Sequence, residues 1–126
     1  MEKFLTLAID DDPLVLRSIV AALKVLGGEC VACRSWNDAE AALRSSNSIE
    51  IIITDLNMPK HDGFAVLREV RKMFPEEGPR VVVVTGDADR DRITAIKRAG
   101  FDGHLLKPYT LKQLKEMLEG LLDSSV

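Results

Sequence analysis

Residues 49–63 read IEIIITDLNMPKHDG. The near-continuous isoleucine run suits a strand buried on both faces, as in a parallel sheet. It ends in Thr54-Asp55, and Asn57–Gly63 is loop chemistry. Downstream, Phe64–Met73 has a helical apolar period and stops before Pro75; Arg80–Thr85 (RVVVVT) repeats the buried-strand pattern. Asp89–Ala99 reads as a helix ended by Gly100, and His104–Leu106 as a short fifth strand. Thr110 opens the last helix with Gln113 at the capping-box position and a stripe at Leu111, Leu114, Leu118, Leu121 and Leu122.

Upstream, Phe4–Ile9 is a short apolar strand. Pro13–Leu26 is a helix with Val15, Ile19, Leu23 and Leu26 on one side, closed by Gly27-Gly28. Cys30–Cys33 reads as a second strand. Ser35 starts a helix with Asp38 as its box partner and Ala39, Ala42 and Leu43 on its apolar side. These are five βα units. They predict an α/β domain over residues 1–126 with helices on both faces of a five-stranded parallel sheet in strand order 2-1-3-4-5.

With 46% hydrophobic and 29% charged residues among 126, a core can form without disulfides. The formal net charge of -3 argues against direct nucleic-acid or anionic-membrane binding. No run is long enough to span a membrane, and the opening MEKFLTLAIDDD meets acid before a signal-peptide apolar region could form, so a cytoplasmic location is expected. Cys30 and Cys33 form a C-x-x-C, but strand residues three apart point to opposite faces, which suits neither a disulfide nor a shared metal. They read as small core residues.

Ligands of such sheets bind beyond the carboxyl ends of the strands. There the sequence places Asp10-Asp11-Asp12, Asp55, Thr85-Gly86-Asp87 and Lys107-Pro108. Asp12 precedes Pro13 and suits a helix N-cap. Asp10, Asp11 and Asp55 are then three carboxylates in one crevice, which would repel or take up protons unless a hard divalent cation relieved them. Three carboxylates, one Mg²⁺ and Lys107 sum to neutrality, a suitable ground state for accepting an anionic phosphoryl group.

The strings LAIDDDP, IIITDLNMPKHDG, VVVVTGDAD and GFDGHLLKPY together resemble the signatures of the receiver domains of two-component response regulators, over Phe4 to about Leu122. The resemblance implies a flavodoxin-like receiver fold. It implies that Asp55 accepts a phosphoryl group from a phosphohistidine on a sensor histidine kinase or histidine phosphotransfer protein. It implies Mg²⁺ (or Mn²⁺) held by Asp10, Asp11, Asp55 and the main-chain carbonyl of Asn57, with Asp10 acting mostly through a water. Thr85 and Lys107 would bind the phosphoryl oxygens, and Lys107-Pro108 would be a cis peptide. Position 86 is often Ala or Ser in the family and here is Gly. Position 104 is usually Tyr or Phe and here is His, which puts the usual aromatic readout through Thr85 and residue 104 in doubt. Asn57 and Asp87 flank the path of a hydrolytic water, and by resemblance to fast-resetting chemotaxis regulators they imply a short phosphoryl lifetime. The output would leave by the face of the fourth helix, fifth strand and last helix, toward a downstream protein or an effector domain absent from these residues.

Three rival readings meet obstacles in the same residues. Asp10-x-Asp12 also resembles the haloacid-dehalogenase phosphatases, with Asp10 as nucleophile and Asp12 as acid, but Pro13 suits a cap and Asp55 would go unused. A flavin-binding domain lacks its phosphate loop after the first strand. A degenerate interaction module is at odds with the intact acid, Thr and Lys set.

Overall fold

The computed structural model describes residues 3–46 and 48–123; residues 1, 2, 47 and 124–126, assigned above to the same domain, lie outside the described residues. Each βα unit appears: β1 (Leu5–Ile9), α1 (Pro13–Val25), β2 (Glu29–Cys33), α2 (Trp36–Ser45), β3 (Ile51–Asp55), α3 (Gly63–Met73), β4 (Arg80–Thr85), α4 (Arg90–Ala99), β5 (Gly103–Leu106) and α5 (Leu111–Asp123). The sheet is parallel in the order β2-β1-β3-β4-β5. Element ends differ from the sequence reading by a residue or two. The largest difference is at β3, which starts at Ile51 rather than Ile49 and runs one residue further, to Asp55.

Period-two alternation divides the core. Ile51, Ile53, Val82, Val84 and Leu105 pack with Leu16, Ile19 and Leu23 of α1 and Leu114 and Leu118 of α5. Leu7, Ile9, Ile52 and Val81 pack against α2 and α3, and Val83 packs against Ile96 of α4. In α1 Ile19 and Leu23 face the core as expected, and in the first turn Leu16 is buried there while Val15 is only half-buried. Cys30 joins the α1/α5 side and Cys33 the α2/α3 side, so the pair points to opposite faces and both thiols are free. Burial pushes the Cys33 thiol up to about 11, an unreactive thiol at neutral pH.

Side-chain caps fix where α1, α2, α3 and α5 leave the sheet's carboxyl edge. Asp12 accepts the Leu14 N–H (2.9 Å), with Pro13 in the first turn. Ser35 accepts the Asp38 N–H (3.2 Å), and Asp62 the Ala65 N–H (2.9 Å). Thr110 and Gln113 form the expected reciprocal box, 2.8 and 3.1 Å. Gly100 ends α4 at φ 96°.

Gly63, the first residue of α3, sits hard against the end of β3. A Cβ there would lie 3.0 Å from both the Asp55 carbonyl oxygen and the Leu56 Cα. Both are backbone and cannot swing aside. Gly63→Ala is therefore expected to destabilise by about 1–3 kcal/mol, read as a lower urea midpoint at unchanged slope; an unaltered midpoint would show that the β3–α3 junction has slack.

Candidate phosphoryl and metal site

At the carboxyl edge the pleat and the loops bring the ends of β1, β3 and β5 together. Asp55 closes β3 between its neighbours β1 and β4. Asp10 and Asp11 follow β1, and Lys107 follows β5. Carboxylate oxygens of Asp10, Asp11 and Asp55 lie within 4.8 Å of one another. Lys107 Nζ stands 3.7 Å from Asp10 Oδ2 and 3.6 Å from Asp55 Oδ1, bridging two of the three. Asp10 is buried, Asp55 half-buried and Asp11 exposed, so the pocket has a wet mouth and a drier floor.

Local bonds set the individual roles. Asp10 Oδ1 accepts the Asp12 N–H (2.9 Å), which fixes its carboxylate. The Thr54 hydroxyl donates to the Asp55 carbonyl (2.9 Å), and the Leu56 N–H donates to the Val84 carbonyl (3.0 Å), pinning the backbone either side of the Asp55 side chain. Burial raises the Asp10 carboxyl above its usual range, with the Asp12 N–H and Lys107 pulling it down and Asp55 and Asp11 adding repulsion. Burial likewise raises Asp55, against the opposing pull of Lys107. Lys107 alone therefore does not neutralise the cluster. A set of hard oxygen donors with excess negative charge and an open side fits Mg²⁺.

Raised carboxyls have a consequence for stability. The folded chain holds these protons to higher pH than the unfolded chain does. Stability is therefore lost as pH rises from the unfolded carboxylate range through the raised folded values. Without divalent metal at pH 7, Asp10→Asn should melt above wild type, by on the order of 1 kcal/mol or roughly 3–5 °C. The gap should close below about pH 4 and narrow with added Mg²⁺. A variant that melts lower than wild type at pH 7 would mean the carboxylate cluster is not a net electrostatic burden.

Thr85, at the end of β4, is fully buried, and its Oγ1 accepts the Asp87 N–H (3.0 Å). Its main-chain carbonyl receives the Lys107 N–H (2.8 Å), tying the two strand ends together, and Lys107-Pro108 is cis. Asn57 is exposed two residues beyond Asp55. The Asp87 carboxylate turns toward α4: Oδ1 accepts the Asp89 N–H (2.9 Å) and Oδ2 lies 3.6 Å from Arg92 Nε. His104 is half-buried on the edge strand β5, opposite Val83 and on the sheet face that α4 covers.

Sequence reading missed two features of the pocket rim. Lys60 takes φ 69° in a tight turn closed by the His61 N–H on the Pro59 carbonyl (2.8 Å). The His61 ring lies against Trp36 of α2, centroids 6.5 Å apart, bracing the β3–α3 loop from the side. The Pro59-Lys60 pair signals a turn; a ring contact across 25 positions leaves no local trace. Among the described residues no helix is long and apolar enough to cross a membrane.

Residues 6–119 match the family model described as "Response regulator receiver domain". The chain is 32% identical over 117 residues to the "Chemotaxis protein CheY" of Pseudomonas aeruginosa, covering 93% of this chain and 94% of that one. It is 32% identical over 120 residues to part of the "Sensor histidine kinase RcsC" of Salmonella typhi, covering 93% of this chain but 12% of that protein. Among solved structures, a response regulator receiver domain protein from Clostridium thermocellum superposes with a TM-score of 0.87 at 29% identity, over 97% of this chain and 96% of that one.

Proposed function

The chain belongs to the response regulator receiver domain family, whose function in two-component systems is to accept a phosphoryl group, and we propose that Asp55 is the acceptor residue here. The observation that carries this reading is the placement of the Lys107 ammonium between the Asp55 and Asp10 carboxylates at the floor of the three-carboxylate pocket.

An Asp55 oxygen attacks the phosphorus of a phosphohistidine, an O–P bond forms as the N–P bond breaks, and the imidazole leaves as the neutral base after taking a proton. Lys107 stabilises the charge on the phosphoryl oxygens, and the Thr85 hydroxyl donates to one of them. Asp10, Asp11, Asp55 and the main-chain carbonyl of Asn57 would hold Mg²⁺ or Mn²⁺, which supplies further neutralisation of those oxygens. The partners are a sensor histidine kinase or histidine phosphotransfer protein upstream and a protein target or effector domain downstream, in the cytoplasm. The output face is formed by α4, β5 and α5; Leu106 of β5 and Leu111 of α5 are exposed, and His104 of β5 is half-buried. Reset is by water attack past Asn57 and Asp87.

The test is loading with acetyl phosphate followed by intact mass. One phosphoryl group should be gained with Mg²⁺ and none with EDTA. After donor removal the adduct should decay quickly, and more slowly in Asn57→Met, whose longer apolar side chain obstructs the water path. Metal-independent loading would remove the metal assignment, and equal decay rates would remove Asn57 from the reset step.

A further inference from the structure

We propose that Arg92 is a positioning residue for the Thr85 hydroxyl, acting through Asp87. The inference rests on the receiver reading, in which Thr85 donates to the phosphoryl group. Asp87 holds two things at once. Its N–H donates to Thr85 Oγ1 (3.0 Å), and its carboxylate holds the start of α4 through the Asp89 N–H (2.9 Å) and Arg92 (3.6 Å). Asp89, at the N-cap, makes no side-chain cap hydrogen bond, so the start of α4 is held instead from Asp87, two residues upstream of the cap.

The other end of α4 is tied differently. Arg71 Nη2 donates to the Gly100 carbonyl (3.5 Å) and to Asp102 Oδ2 (2.9 Å), and that oxygen also accepts the Val81 N–H (2.7 Å). Between the two ends, Ile96 is the one fully buried side chain α4 contributes among the described residues. The helix is thus clasped to the sheet at its C-terminus and latched at its N-terminus through Asp87. Gly86, between Thr85 and Asp87, is exposed, and a Cβ there would meet nothing. The peptide has room to turn when the Thr85 oxygen leaves the Asp87 N–H for a phosphoryl group on Asp55. Arg92 opposes that turn by holding the Asp87 carboxylate on α4. Both side chains of the pair are about 40% exposed (40% and 41%), so the latch is weak enough to be released.

A phosphoryl mimic must work against this latch, so loosening it raises the mimic's affinity. Beryllofluoride with saturating Mg²⁺, followed by amide shifts, is the probe. Arg92→Gln should bind it about two- to fivefold more tightly than wild type, with Mg²⁺ affinity unchanged. The same substitution in an Asp87→Asn background should have no effect. Arg90→Gln, which removes an equivalent charge from the same helix turn, should match wild type. Unchanged affinity in Arg92→Gln, an equal gain in the Asp87→Asn background, or an equal gain in Arg90→Gln overturns the role of Arg92. Failure of wild type to bind the mimic at all overturns the receiver reading and this inference together.

Discussion

Asp55→Asn is expected to fold, to bind Mg²⁺ more weakly and to gain no phosphoryl group from acetyl phosphate. The amide keeps the shape of the side chain at the end of β3, where the neighbouring backbone is fixed by Thr54 and Val84. It lacks the anionic oxygen that must attack phosphorus, so the loss should be complete rather than partial. Stability should rise, because burial already disfavours the charged form of Asp55. Asp10→Asn should load slowly but measurably, since Asp10 would hold metal rather than phosphoryl. Intact mass after an hour with donor and Mg²⁺ separates the two variants. A loaded Asp55→Asn beside an unloaded Asp10→Asn would reverse the assignment and favour the phosphatase-like reading.

Lys107→Ala should slow loading by about 10²- to 10³-fold, the effect of removing one preorganised donor from a developing oxyanion. The ammonium is 3.6 Å from Asp55 and 3.7 Å from Asp10, so one substitution withdraws compensation from both. It also removes a group that holds both carboxyls down, so the neutral, non-nucleophilic form of Asp55 gains weight. Lys107→Arg should rescue poorly, because a planar fork does not substitute for a compact charge at the tip of a flexible stem. Pseudo-first-order loading rates at fixed donor are the measurement. A Lys107→Ala rate within about threefold of wild type, far inside the loss expected for such a donor, would place charge neutralisation elsewhere in the pocket.

The fold was legible because buried parallel strands write themselves as unbroken apolar runs, as at Ile51–Ile53 and Val81–Val84, and because caps such as Asp12, Ser35 and Thr110 mark where helices begin. β2 was harder: it lies at the sheet edge with mostly exposed residues, and its first residue, Glu29, carries no strand signature. The acid cluster and Lys107 were legible because sheet topology alone brings strand ends together. What sequence could not give is where flexible side chains turn. Sequence places Asp87 beside the water path but gives no sign that its carboxylate also holds the start of α4 through the Asp89 N–H and Arg92, five residues on. The Trp36–His61 contact and the Arg71–Asp102 clasp join distant segments with no shared periodicity, so no local pattern announces them.

The most direct test is to locate the phosphoryl group itself. Wild-type protein loaded with acetyl phosphate and Mg²⁺ would be trapped with borohydride, which reduces an aspartyl phosphate to homoserine, then digested with trypsin and sequenced by mass spectrometry. The modification is predicted in the peptide 45–60, at Asp55 alone. Modification in the peptide 4–17, at Asp10 or Asp11, would contradict it.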